Sequence, residues 1–234
     1  MKKLLKVQNL SYKYPDGHEA LKNINFEIDS GEKIALVGAN GSGKSTLLLI
    51  LAGAMEQTSG KIFFYDSENS EIRRKKTGLI FQDADDQILM PSVIEDVAFS
   101  PVADGMKIEK AHELAMKILK SLKIEHLASR VPHKLSGGEK RMVTFAGNLA
   151  ASPELLLLDE PTAALDPAGQ RRVIQFLKET ETAFLLATHD LEMAREVCRY
   201  ALIMSHGKIA AQGNLPELFG DEKLLARYNL AAFD

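Results

Sequence analysis

The sequence contains a single cysteine, Cys198, among 234 residues. No disulfide framework can form within one chain, which fits a reducing compartment and a fold held by its hydrophobic core. Cys198 falls in a segment read as helix, where a lone cysteine is expected simply to pack. Excess basic charge is also missing: the net charge is -3 and the isoelectric point is near 6.1. A polyanion-binding surface, and with it a nucleic-acid partner, is therefore not expected. Long apolar runs are absent too. Met1 to Lys6 is basic and only briefly apolar, too short for a signal peptide. Runs such as Leu155 to Leu158 are strand-sized, against the ~20 apolar residues of a membrane-spanning helix. Any membrane role must come through a partner protein. Internal repeats, low-complexity stretches and an interdomain linker are likewise not found.

What is present suits a globular domain. Hydrophobic residues make up 45% and charged residues 26%, both ordinary proportions, and the length allows one large domain or two small ones. Leu4 to Leu10, Ala20 to Ile28, Lys33 to Val37, Lys61 to Tyr65 and Gly78 to Phe81 read as strands. The first three are separated by the turn signals Pro15-Asp16-Gly17 and Ser30-Gly31. Leu47, Leu48, Ile50 and Leu51 mark a buried helix after Gly43, and apolar periodicity predicts helices over Glu109 to Leu122 and Glu139 to Ala151. Short apolar strands at Leu155 to Leu158 and Ala183 to Ala187 each lead into polar residues and a helix. That alternation predicts parallel strands with crossover helices in one domain carrying a helical insertion.

Gly38-Ala39-Asn40-Gly41-Ser42-Gly43-Lys44-Ser45-Thr46 fits G-x-x-x-x-G-K-[ST] in full, after an apolar strand and before an apolar helix. Glycines let successive backbone N–H groups turn inward around a phosphate, and the helix N-terminus adds free donors and a favourable dipole. Lys44 can then reach the β- and γ-phosphates of a nucleotide, and the Ser45 hydroxyl can bind Mg²⁺. Leu155 to Leu158 ends in Asp159-Glu160. Beside a phosphate loop such a pair is the Walker B arrangement. Asp159 is the candidate for the Mg²⁺ shell, and Glu160 for orienting or deprotonating the attacking water. The other histidines (His18, His112, His126, His133 and His206) are scattered and read as surface residues rather than metal ligands.

Leu135-Ser136-Gly137-Gly138-Glu139 resembles the LSGGQ signature of ABC ATPases, with Glu139 where Gln is usual. The likeness runs from about Leu4 to Gly213. It implies an α/β P-loop NTPase of the ABC ATPase type, with a RecA-like core, an antiparallel β subdomain and a helical signature subdomain. The ATPase domain would span 1–220, with the helical subdomain at roughly 83–152, and 221–234 would be a short tail. The resemblance further implies ATP and Mg²⁺ as cofactors and head-to-tail pairing. Ser136, Gly137, Gly138 and Glu139 would close on ATP held by a second ABC ATPase, identical or not. Tyr14 resembles the adenine-stacking aromatic, with Tyr12 as competitor. Gln82 resembles the Q-loop residue at Mg²⁺, Ala163 to Asp166 the D-loop, and His189 the switch histidine at the γ-phosphate.

Phe81-Gln82-Asp83-Ala84-Asp85-Asp86-Gln87-Ile88 is similar to the Q-N-P-D-D-Q segment of energy-coupling-factor importers, with Asp83-Ala84 in place of Asn-Pro. Pro91 to Phe99 is similar to the same group. The resemblance implies that a membrane subunit docks near Gln82 to Val97, at the cytoplasmic face of a bacterial cell membrane. The shortness of the tail is more similar to dedicated cobalt, nickel or biotin systems than to shared vitamin systems, and cobalt or nickel is the expectation. An exporter or lipoprotein-release ATPase shares every catalytic motif. A soluble ABC protein acting on ribosomes or DNA usually has two ATPase units or long coiled coils, neither of which is seen.

Overall fold

A computed structural model describes residues 3–81 and 87–230. The chain begins with β1 (Lys3–Lys13), β2 (Glu19–Asp29) and β3 (Lys33–Val37), then α1 (Lys44–Leu51), β4 (Ser59–Phe64), α2 (Ser70–Lys76) and β5 (Thr77–Ile80). A helical stretch follows: α3 (Val93–Ala103), α4 (Ile108–Ser121) and α5 (Gly137–Ala150). Strand and helix then alternate through β6 (Leu155–Asp159), α6 (Pro167–Glu179), β7 (Ala183–Thr188), α7 (Leu191–Val197) and β8 (Tyr200–Ser205). The chain closes with β9 (Lys208–Asn214), α8 (Leu215–Gly220) and α9 (Glu222–Arg227).

Contacts divide the described residues into two compact units. One comprises 3–79, 154–160 and 181–230, the other 80–81, 87–153 and 161–180. In the first unit, β2-β1-β4 form an antiparallel sheet. Alternating burial along β2 turns Ile24, Phe26 and Ile28 inward, and Leu21 is buried ahead of Asn23, whose left-handed φ of 53 interrupts the alternation. The larger sheet has the order β5-β6-β7-β3-β8-β9. Strands β6, β7, β3 and β8 pair in parallel, and β9 runs antiparallel at the edge. Every residue of β6 and β7 is buried, as parallel strands covered on both faces require. Register sets Asp159 opposite Ala187 and Val37 opposite Thr188. The carboxyl ends of β6, β7 and β3 therefore lie side by side, where open α/β sheets hold their ligands.

The second unit is helical. Its core includes Val97, Ala115, Leu119, Met142, Val143 and Leu177, with Phe145 and Phe176 rings 4.8 Å apart. Helix α4 buries Ala111, Ala115 and Leu119 at helical spacing. Several elements, among them α2, β8, β9, α8 and α9, have no counterpart in the sequence reading. Most are short, polar or half-exposed and carry weak periodicity, whereas β8 is a short and largely buried strand. Cys198 departs from expectation. It follows α7 as an extended residue, because the helix ends at Val197, and it is buried with its thiol pushed up to about 12 by desolvation.

Candidate nucleotide site

The phosphate loop is shaped by backbone crowding. A Cβ on Gly38 would lie 2.3 Å from the Met204 carbonyl oxygen, and one on Gly43, at φ 105, would lie 2.8 Å from that of Ala20. No side chain fits either place, so the chain can pass close to its neighbours only as glycine. Beyond Gly43, α1 begins at Lys44. The Lys44 ammonium is buried and donates to the carbonyls of Gly38 at 2.7 Å and Ala39 at 3.2 Å. Burial lowers its proton affinity, and the charges of Glu160 and Asp159 oppose that effect. Tyr14, partly buried, shares a 2.9 Å hydrogen bond with the Thr46 hydroxyl. Its ring lies edge-on to Tyr12 at 4.9 Å and stacks on His18 at 6.3 Å. Of the two tyrosines singled out from the sequence, Tyr14 is the one bonded to α1.

Asp159 ends β6. Burial raises its pKa, and a hydrogen bond from the Ser45 hydroxyl is the largest effect in the other direction. A hydroxyl and a carboxylate already bonded to each other are hard oxygen donors of the kind Mg²⁺ takes, so this pair fits the ion.

Glu160 takes a left-handed backbone, φ 45, unusual for a non-glycine residue. Its N–H donates to the Ala187 carbonyl at 2.9 Å. The carboxylate is held on both oxygens. Oε2 accepts from the Thr188 hydroxyl at 3.0 Å. Oε1 accepts from the His189 backbone N–H at 2.9 Å and lies 2.7 Å from His189 Nδ1. A carboxylate can only accept, so Nδ1 carries the proton in this arrangement. The buried Thr188 hydroxyl also accepts from the Asp190 N–H at 3.0 Å, and Asp190 caps α7 through the Met193 N–H at 2.9 Å. Lys44, Ser45, Asp159, Glu160 and His189 thus meet at adjacent strand ends. Thr188 belongs to that constellation, and the sequence reading did not assign it a role. The only signal for it is its place between an apolar strand and the candidate histidine.

The signature residues are in the helical unit. Ser136 and Glu139 form a reciprocal cap on α5. The Ser136 N–H donates to Glu139 Oε2 at 2.7 Å, and the Glu139 N–H donates to the Ser136 hydroxyl at 3.3 Å. The Ser136 backbone N–H is the main influence holding the Glu139 carboxyl below its ordinary value. The Ser136 hydroxyl also bonds the Glu139 carboxylate, so it both accepts and donates within the cap. Gly138 is buried where a Cβ would meet Arg172 and the Cα of Gly169, each at 3.4 Å. Asp166 caps α6 through the Gly169 N–H at 2.7 Å. Gln82, with the Asp83 to Asp86 part of the importer-like segment, lies outside the described residues.

Comparison with known proteins places this arrangement. Residues 21–163 match the ABC transporter family. The energy-coupling factor transporter ATP-binding protein EcfA of Methanosphaera stadtmanae is 39% identical, over 98% of this chain and 86% of the relative. The structure of cbiO1 from Clostridium perfringens, part of the ABC transporter complex cbiONQ, aligns with a TM-score of 0.85 at 36% identity, covering 98% of this chain and 96% of that one. A dimeric ATP-binding cassette in a post-hydrolysis state, bound to ADP and Pi, aligns with a TM-score of 0.78 at 29% identity, covering 90% and 98%. With a phosphate loop, two buried acids and a capped signature helix on this fold, the chain belongs to the ABC transporter family and is an ATP-binding, ATP-hydrolysing cassette of it, with Mg²⁺ as cofactor.

Proposed function

We propose that the chain powers an energy-coupling-factor importer for cobalt or nickel ions, working as a peripheral subunit on the cytoplasmic face of a bacterial membrane. The observation that carries the catalytic half is the carboxylate of Glu160, buried beside Asp159 and oriented by Thr188 and His189. In this reading Gly38 to Thr46 wrap the nucleotide phosphates, Lys44 turns from its backbone carbonyls toward the β- and γ-phosphates, and Tyr14 stacks on adenine. Ser45, Gln82 and Asp159 hold Mg²⁺, which neutralises phosphate charge when bound. Glu160 accepts the proton of the attacking water once a resting contact loosens, and His189 then stabilises the γ-phosphate. The effect comes mainly from fixed charge around the transferring phosphoryl group.

A second ABC ATPase, identical or not, closes the site with Ser136, Gly137, Gly138 and Glu139. The membrane subunit docks near Gln82 to Val97. Leu89 and Phe99 support that face, being 74% and 50% exposed around a small cleft that also includes Gln87 and Asp96. Half-buried Asp96 keeps the preceding turn in place by accepting from the Leu89 and Met90 N–H groups at 2.8 and 3.1 Å. The likeness to EcfA and cbiO1 supports the energy-coupling-factor class. The test is purification of the chain from its native membranes, with and without Leu89→Asp and Phe99→Asp, together with cobalt and nickel accumulation by cells lacking it. Co-purification of a polytopic protein, lost in the variant, with metal uptake lost in the cells, is expected. Recovery of ribosomes, or uptake unchanged for both metals, overturns the importer reading.

A further inference from the structure

The connection from β8 to β9 is two residues long, since Ser205 pairs with Lys208. Both turn residues take left-handed backbones, His206 at φ 48 and Gly207 at φ 76, as a type I′ hairpin turn requires. His206 is exposed, whereas Gly207 is buried, because the turn runs into two other stretches of backbone. The Gly207 carbonyl accepts from the Lys22 N–H at 2.7 Å, and its N–H donates to the Ser42 carbonyl at 3.1 Å. A Cβ on Gly207 would lie 2.6 Å from the Ala20 carbonyl oxygen and 3.1 Å from its carbon. The same Ala20 oxygen stands 2.8 Å from the place a Cβ would take on Gly43. The start of β2, the turn and the phosphate loop therefore meet backbone to backbone, with glycine at both close approaches.

The bond to Ser42 fixes more than the turn. Within the loop, the Ser42 N–H donates to the Ala39 carbonyl at 3.2 Å. The next peptide, Ser42–Gly43, gives its carbonyl to Gly207. It is trans, as are all the peptides among the described residues. A trans peptide is planar, with its C=O and N–H pointing opposite ways. Holding the Ser42 carbonyl on the turn therefore aims the Gly43 N–H away from the turn. That N–H is one of the donors with which a phosphate loop surrounds its anion. Glycine restricts its own backbone least of all residues, so a bond from outside the loop sets an orientation that Gly43 by itself leaves loose.

We propose that Gly207 is a positioning residue for nucleotide binding: through the Ser42 carbonyl it fixes the Ser42–Gly43 peptide, and with it the Gly43 N–H presented to a nucleotide phosphate. Gly207 lies outside every motif that identifies the cassette, and it acts only through Ser42. The role rests on the reading of Gly38 to Thr46 as the nucleotide cradle. A glycine that merely completed a hairpin would affect stability and leave nucleotide affinity alone.

The test compares Gly207→Ala with Gly105→Ala in the full chain. Gly105 is also a left-handed turn glycine, at φ 92, but nothing lies within 4 Å of the place its Cβ would take. Its N–H donates to the Val102 carbonyl at 2.9 Å. Alanine carries left-handed strain at either position, so both variants should melt lower. Only at Gly207 does the added carbon also force the turn off Ser42. Calorimetric titration with ADP and Mg²⁺ should show binding weakened about five- to tenfold in Gly207→Ala, the size of one lost hydrogen bond, and changed less than about twofold in Gly105→Ala. In Gly207→Ala, kcat at saturating ATP should fall less than about threefold, because Thr188 and His189 keep their bonds to Glu160.

Amide hydrogen exchange on the native chain gives a second readout that needs no variant. Coupling between two places is reciprocal, so ADP should slow exchange of the Gly207 amide by about fivefold or more and leave the Gly105 amide unchanged. A folded Gly207→Ala with native ADP affinity, an equal loss of affinity in Gly105→Ala, or a Gly207 amide indifferent to ADP overturns the positioning role. If Gly207→Ala does not fold, the exchange measurement decides by itself. A native chain that binds no ADP fails the cradle reading, whereas ADP binding that ignores the turn sinks only the role of Gly207.

Discussion

Replacing Thr188 with Val removes one hydroxyl from a fully buried position while keeping its shape. That hydroxyl donates to Glu160 Oε2 at 3.0 Å and accepts from the Asp190 N–H at 3.0 Å. A hydrogen bond to an ionised group contributes about 1.5–3 kcal/mol. If all of it served to orient Glu160 in the transition state, kcat would fall by roughly ten- to a hundredfold. Two His189 donors still hold Oε1, so the lower end, about tenfold, is expected. Thr188 bonds to none of the candidate phosphate-binding side chains, so KM for ATP should change less than about twofold. The assay is steady-state phosphate release over a range of ATP, for Thr188→Val, Glu160→Gln and the double variant. Since Thr188 acts through Glu160, adding Thr188→Val to Glu160→Gln should cause little further loss. Thr188→Ser, which restores the hydroxyl, should recover most of the rate. A native kcat for Thr188→Val, or full additivity in the double variant, would refute the reasoning.

Two further perturbations test the electrostatics and the cap. Burial raises the pKa of Asp159, so the folded chain keeps that proton to higher pH than the unfolded chain does. Stability therefore falls as pH rises through the window between the ordinary value of 3.8 and the raised one. Asp159→Asn should accordingly raise the melting temperature at neutral pH while hydrolysis is lost, and the gain should vanish below about pH 3.8, where both states are protonated; a gain that does not depend on pH would count against the burial argument. Ser136→Ala removes the acceptor of the Glu139 N–H and should lower stability by about 1 kcal/mol, read from urea unfolding, with Ser136→Thr close to native. An unchanged midpoint would mean that Ser136 does not cap α5 in solution.

Much of the site is legible in the sequence because its chemistry is written locally. Gly38 to Thr46 is one uninterrupted pattern, and Asp159-Glu160 directly follows four leucines. Each motif needs only its own strand, turn and helix, so short-range spacing identifies it. The helical reading of Cys198 failed for a local reason as well. Helix α7 is only seven residues long, and it ends at Val197 with no glycine, asparagine or proline directly after it to mark the stop. Short elements whose boundaries depend on their neighbours leave little periodicity to read.

The sequence alone determined which residues are chemically able to bind phosphate, hold Mg²⁺ and take a proton, since those capacities belong to side chains and their immediate spacing. Tertiary structure decided their partners. Pairing of β6 with β7, and of β7 with β3, brought Asp159, Thr188 and the phosphate loop to one edge, though they are far apart in the chain. It also gave Glu160 its left-handed backbone and its three donors, and it brought Gly207 against Ser42. Strand register and packing join residues across long sequence separations, and no local pattern records which distant groups will meet.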